Sequence, residues 1–209
     1  MLILPTVFWL FHFIYTTNFV AYCCKGMNTY VAILRGINVS GKNKIKMDAL
    51  KSSFSSLGFE QVQTYIQSGN VVFRNPETSS GNLEELINKQ IRKDFGFEVP
   101  VLVLDKKELA NIVKNNPFAG DENREAQFLH VTFLKEHPAN VNEEKIAVHV
   151  KAGEEFAISD GAIYVYCPHG YGKTKLNNNF FESQLKVSAT TRNWKTTLKL
   201  LEMANEADA

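Results

Sequence analysis

Cysteine is nearly missing from this sequence. Of the three in 209 residues, Cys23 and Cys24 stand near the N-terminus and Cys167 is alone thereafter. Residues 27–209 therefore cannot close an intrachain disulfide, and no Cys-x-x-Cys pair suggests zinc or redox chemistry. That usage fits a reducing cytoplasm. A surplus of one charge is missing too: 23 Lys and Arg face 22 Asp and Glu, a formal net charge of +1. That removes the simplest argument for a nucleic-acid or anionic-membrane partner, so any such binding must come from local patches. No stretch is of low complexity. With 44% hydrophobic and 22% charged residues the chain reads as folded, and its length allows one large domain or two small ones.

The first 26 residues differ from the rest. Residues 1–24 contain no Asp, Glu, Lys or Arg and carry the apolar run Val7 to Leu10, Phe11, Phe13, Ile14 and Tyr15. Three readings fit: an upstream extension from a misassigned start, a membrane anchor of about 20 apolar residues interrupted by Pro5, Thr16, Thr17 and Asn18, or a signal peptide. The last fits least, because a basic start is missing and Tyr22 is bulky where a processing site wants a small residue. A sequence of globular character opens at Met27.

From there the pattern reads as two similar halves. Tyr30 to Leu34 is a short apolar strand, and Met47, Leu50, Phe54 and Leu57 recur at helical spacing up to Gly58. Val62 to Gln67 and Val71 to Arg74 form a hairpin across Ser68-Gly69-Asn70, where glycine supplies a positive φ. Leu83, Ile87, Ile91 and Phe95 make a second helical stripe with Asn82 and Glu85 in capping-box positions, and Val99 to Leu104 is a strand. Asp105 to Asn116, capped by Asp105 with Glu108, adds a helix that stops before Pro117. The order β-α-β-β-α-β is the ferredoxin-like split βαβ arrangement. The second half repeats it less completely: strand Phe128 to Leu134, short helix Asn142 to Val148, a hairpin of Phe156 to Ser159 and Ala162 to Cys167 across Asp160-Gly161, then helices at Phe180 to Lys186 and Trp194 to Ala204. The expected fold is α+β, with tandem ferredoxin-like halves over 27–118 and 119–209, extra C-terminal helices, and an apolar extension over 1–26. The turn-rich stretch Pro117 to Arg124 is the boundary.

Charge is unevenly placed along this frame. Residues 27–58 hold Arg35, Lys42, Lys44, Lys46 and Lys51 against Asp48, and residues 161–195 hold Lys173, Lys175, Lys186, Arg192 and Lys195 against Glu182. The intervening residues 59–160 are net acidic, with 11 basic and 17 acidic side chains. Each basic segment contains a Gly- and Asn-rich loop after a strand, Arg35 to Lys44 and His169 to Asn179. Such loops offer backbone N–H groups together with cations, as a phosphate or carboxylate site requires. Arg35, Asn38, Lys42, Lys44, Gln67, Ser68, Asn70, Tyr171, Lys173, Lys175, Asn177 and Arg192 are the candidate ligand-binding residues. They are expected to converge on a cleft between the halves. Solvated lysines and a purely structural turn at Ser68 to Asn70 are the plain alternatives.

The runs Arg35-Gly36-Ile37-Asn38-Val39, Tyr65 to Phe73, Tyr166 to Asn178 and Ala189 to Thr196 resemble the bacterial domain-of-unknown-function family 1697, over about Met27 to Glu202. The resemblance implies an α+β protein of two ferredoxin-like halves. It implies no activity, substrate, cofactor or catalytic residue.

Sharper chemical motifs fail on inspection. Gly170-x-Gly172-Lys173-Thr174 looks toward a P-loop, but Cys167 stands where the first glycine belongs. Cys167 and His169 could share a strand face as nucleophile and base, although such a cysteine more often packs as a small hydrophobe. His130, His137 and His149 lack ligand spacing for a metal. Phe181 and Trp194 are read as core before base-stacking platforms. What remains is a binding module for an anionic ligand, whether phosphate-bearing small molecule, nucleotide or RNA, with no cofactor. The alternatives are an enzyme on a phosphorylated or acidic small molecule, and a structural or protein-interaction domain. The expected location is cytoplasmic, or membrane-anchored if residues 1–24 act as an anchor.

Overall fold

The computed structural model describes residues 26–208; the expectations for residues 1–24 lie outside them. The chain forms β1 (Met27–Leu34), α1 (Met47–Ser55), β2 (Glu60–Tyr65), β3 (Asn70–Pro76), α2 (Ser80–Phe95), β4 (Val101–Asp105) and α3 (Lys106–Lys114). A second series follows: β5 (Leu129–Leu134), α4 (Glu143–Ala147), β6 (Glu155–Ser159), β7 (Ala162–Tyr166), α5 (Asn178–Leu185), β8 (Ala189–Asn193) and α6 (Trp194–Glu206). The fold is mixed α+β with two four-stranded antiparallel sheets, ordered β2-β3-β1-β4 and β6-β7-β5-β8.

Burial follows from strand alternation. One face of the first sheet, with Tyr30, Ala32, Leu34, Val71, Phe73 and Val103, packs on Leu50 and Phe54 of α1 and Leu83, Ile87 and Ile91 of α2. One face of the second sheet, with Leu134, Ile163 and Val165, packs on Phe181 and Leu185 of α5 and Ile146 of α4. The opposite faces meet in one shared core. Val31, Ile33, Val72, Leu102 and Leu104 lie in it with Val131, Phe133 and Tyr164, beside Leu109 and Ile112 of α3 and Leu200, Met203 and Ala204 of α6. Inside that core the Tyr164 hydroxyl donates to the Ile112 carbonyl at 2.7 Å, so the ring is buried without an orphaned O–H.

Three features depart from the sequence reading. The last strand, β8, is built from Ala189-Thr190-Thr191-Arg192-Asn193, which has no apolar alternation to announce it; it pairs with β5 and completes the second sheet. The N-cap of α2 is Ser79, whose side chain accepts from Asn82 N, so the helix starts earlier than a cap at Asn82 would place it. The β2–β3 turn spans residues 66–69, and Asn70 is the first residue of β3, fully buried.

One edge of the first sheet is closed by side chains. Among the described residues the β4 edge has no strand neighbour, and there the Val103 N–H donates to Glu84 Oε1 at 3.0 Å while the Asp105 N–H donates to Glu108 Oε2 at 2.8 Å. Glu84 is only 5% exposed, and its other oxygen lies 2.9 Å from Lys135 Nζ, in the segment after β5.

Candidate functional site

The β1–α1 loop folds back on itself through an unusual run of left-handed residues. Gly36, Asn38, Ser40, Gly41 and Asn43 all have φ between 47° and 77°, a region that glycine and asparagine enter most easily. Asn38 is its strut: its Nδ2 donates to the carbonyls of Ile45 (2.9 Å) and Gln67 (3.0 Å), and its Oδ1 accepts from Ile45 N (2.9 Å). The Asn43 side chain closes the loop by donating to the Gly36 carbonyl at 3.1 Å. Loop and hairpin turn are thus held side by side.

Beneath them lies a depression of about 490 Å³ lined by Asn38, Gly41, Lys44, Ile45, Lys46, Met47 and Gln67. No carboxylate lines it, and Lys42, Lys44 and Lys46 enter no ion pair among the described residues. It opens at the N-terminus of α1. Side chains of Ser79, Asp105, Asn142, Asn177 and Asn193 cap α2, α3, α4, α5 and α6. The α1 N-cap is Lys46, which supplies no such bond. Its first-turn N–H groups therefore add their partial positive charge to that of the lysines, offset in part by Asp48 in the same turn.

Arg35, Ser68, Asn70 and Arg192 occupy a second location, where the two sheets are tied together. Arg192 leaves β8 and reaches the first sheet. Its Nε donates to Asn70 Oδ1 (2.6 Å), its Nη2 to the carbonyls of Leu34 (2.7 Å) and Ser68 (2.9 Å), and its Nη1 to the Thr191 carbonyl (3.0 Å). Asn70 Nδ2 in turn donates to the Tyr65 carbonyl and to Ser68 Oγ. No carboxylate pairs with Arg192 among the described residues, and burial pulls its guanidinium down to about 10. Arg35 makes the reverse crossing. Its Nη1 lies 2.6 Å from Glu182 Oε1 and its Nη2 donates to Asn179 Oδ1 at 2.6 Å, both on α5.

The remaining candidates belong to the second loop, Tyr171 reaching toward the seam. Tyr171 donates through its hydroxyl to Thr191 Oγ1 and accepts from Asn178 N, each at 3.0 Å, and its ring stacks on His130 at 4.5 Å; burial raises the phenol and lowers the imidazole. Asn177 caps α5. Lys173 and Lys175 are exposed, the Lys173 carbonyl accepting from Lys151 Nζ. The twelve candidates read as one cleft thus divide: Asn38, Lys44 and Gln67 line the depression with Lys42 on the same loop, Arg35, Ser68, Asn70 and Arg192 stand at the seam between sheets, and Tyr171, Lys173, Lys175 and Asn177 lie on the second loop. Cys167 is fully buried, and burial, with the nearby Glu154 carboxylate, pushes its thiol up to about 12, which disables it as a nucleophile at neutral pH. The His169 ring meets the Ala152 carbonyl at 3.0 Å instead.

Gly41, Ile45, Lys46 and Met47 complete the depression and were not singled out from sequence as ligand-binding. A signal existed in Lys46, a poor N-cap residue standing directly before a helical stripe. A further cavity of about 440 Å³ between the sheets is lined by Glu84, Glu108, Lys135, Glu136, His137 and Asp160 among others, and by none of the predicted residues.

No curated protein matches the chain. Among solved structures, the conserved bacterial protein SP0830 from Streptococcus pneumoniae is similar at 23% identity, with a TM-score of 0.64 over 86% of this chain and 99% of that one. At that identity the likeness speaks for the fold. The model of the family described as "Protein of unknown function (DUF1697)" matches residues 27–164, and the chain belongs to that family.

Proposed function

We propose that the protein binds an anionic, phosphate-bearing ligand at the depression beneath the β1–α1 loop. The observation that carries this reading is the meeting of unpaired lysines and an uncapped helix N-terminus in a concavity without a carboxylate. An anion there gains lysine charge and backbone N–H donors together, which is how helix N-termini hold phosphate. The seam is less suited to a ligand, because four of the guanidinium N–H bonds of Arg192 already end on protein oxygens. Binding stands ahead of catalysis, since the lining offers no carboxylate, imidazole or thiol to move a proton.

We also read residues 27–118 and 119–209 as two ferredoxin-like halves. The strand orders β4-β1-β3-β2 and β8-β5-β7-β6, each joined by the same β-α-β-β-α-β sequence, support this. No described helix is long and apolar enough to cross a membrane.

Thermal melts in inorganic phosphate, a nucleoside triphosphate and a short RNA test the site. At a hundredfold excess over Kd a ligand stabilises by about 2.7 kcal/mol, and Lys44→Ala with Lys46→Ala should remove that rise while leaving the unliganded melt unchanged. Melts that no anion moves, or a rise that survives the double change, would refute the reading.

A further inference from the structure

Two exposed aliphatic side chains project beside the same depression. Val39 is 56% exposed and Ile66 49% exposed, and each flanks the apex of a turn, Val39 next to Ser40-Gly41 and Ile66 next to Gln67-Ser68. Val39 is bracketed by left-handed Asn38 and Ser40, and its carbonyl accepts from Lys42 N at 2.9 Å. Ile66 itself holds φ at 47°, a conformation a β-branched residue adopts only under strain. The two turns are coupled through the Asn38 Nδ2 bond to the Gln67 carbonyl. Neither side chain serves the core. Lys42, Lys44 and Lys46 lie on the loop that carries Val39, exposed and without ion pairs among the described residues.

We propose that this end of the molecule docks on an anionic phospholipid surface, with Val39 and Ile66 entering the headgroup boundary and the lysines facing lipid phosphate. The inference rests on the anion site proposed above and names the source of the anion. Exposed aliphatic side chains beside a lysine-bearing loop match the two attractions that hold peripheral proteins on charged bilayers, each modest alone. A nucleic acid would use the lysines but gain nothing from two aliphatic tips, and no aromatic side chain lines the depression to stack on a base.

The test is cosedimentation of the full chain with phosphatidylcholine vesicles, with or without phosphatidylglycerol, together with thermal melts in phosphate. Any contribution of residues 1–24 is common to all variants, so differences between variants read the substituted side chains. Phosphatidylglycerol should be required for the greater part of the binding. Val39→Glu with Ile66→Glu should lower partitioning at least about tenfold yet keep the phosphate-induced rise in Tm, which also reports that the variant is folded. Lys44→Ala with Lys46→Ala should lose both. Equal partitioning of the Val39/Ile66 variant and wild type, or equal binding to neutral and anionic vesicles, would overturn the lipid proposal and leave the phosphate site standing. Tight RNA binding insensitive to Val39 and Ile66, without vesicle binding, would overturn it in favour of nucleic acid. Vesicle binding that depends on both the aliphatic side chains and the lysines, without any phosphate-induced rise, would refute the soluble-anion site and retain the surface.

Discussion

Arg192→Ala should destabilise the protein by about 3 kcal/mol, and the size follows from what the guanidinium touches. It donates to Asn70 Oδ1, the Leu34 and Ser68 carbonyls across the seam, and the Thr191 carbonyl on its own strand. The three bonds across the seam, made by a charged donor, contribute together about 6 kcal/mol. Against this stands the cost of holding a cation away from water with no anion beside it. A guanidinium lowered from 12.5 to about 10 puts that cost near 3 kcal/mol, at about 1.4 kcal/mol for each tenfold change in proton affinity. Alanine removes both contributions and leaves the fully buried Asn70 without a donor for Oδ1, so the difference is a net loss. For a chain of this size the melt should fall by about 6 to 12 °C. Arg192→Lys should recover little, because one ammonium cannot reach three separated acceptors in the guanidinium plane. Calorimetry of both variants, with Asn70→Ala and the double change to close a cycle, measures the coupling. A melt equal to or above wild type for Arg192→Ala would refute the latch and restore the expectation that the residue is an uncompensated cation waiting for a ligand.

Gly69→Val should lower stability by about 3 kcal/mol in chemical denaturation, since a Cβ there would stand 2.8 Å from both Ile37 Cδ1 and Leu34 Cβ and φ is 82°; equal midpoints would reject the turn geometry. His130, lowered by burial from 6.5, resists in the folded state a proton that the unfolded chain accepts. Its contribution is present above about pH 6.5 and lost as pH falls through its lower folded value. His130→Gln should therefore melt with a shallower decline between pH 7.5 and 5.5 than wild type, and parallel declines would sink the assignment.

The core was legible because it obeys period rules. Apolar strands such as Tyr30 to Leu34 and the stripe Leu83, Ile87, Ile91 announce a buried face by composition alone, and Asp105 with Glu108 forms the capping box their spacing implies. β8 was not legible, because threonine, arginine and asparagine carry no amphipathic alternation and its place is set by pairing with β5. The candidate site was legible in part. Residue type marked Asn70 and Arg192 as polar groups with work to do, but their 2.6 Å contact joins residues 122 apart in sequence, and nothing local reveals which of two such groups will take the other. Lys44 and Asn38 were found through loop composition, whereas the conformations of Ser40 and Ile66, both left-handed, belong to residue types that give no warning of it.

The carboxylates at the rim of β4 bear on how the molecule behaves in a crowd. A sheet that stops at an open strand is a template for another chain, because its outward amides can recruit any extended segment. Here the amides of Val103 and Asp105 end on Glu84 and Glu108 of the chain's own helices. A visiting strand offers neutral carbonyl oxygen in exchange for ionised oxygen, a poorer acceptor, and must also part Glu84 from Lys135. Of the four outer strands β2, β4, β6 and β8, β4 is thus already occupied by the chain's own carboxylates before another chain can reach it.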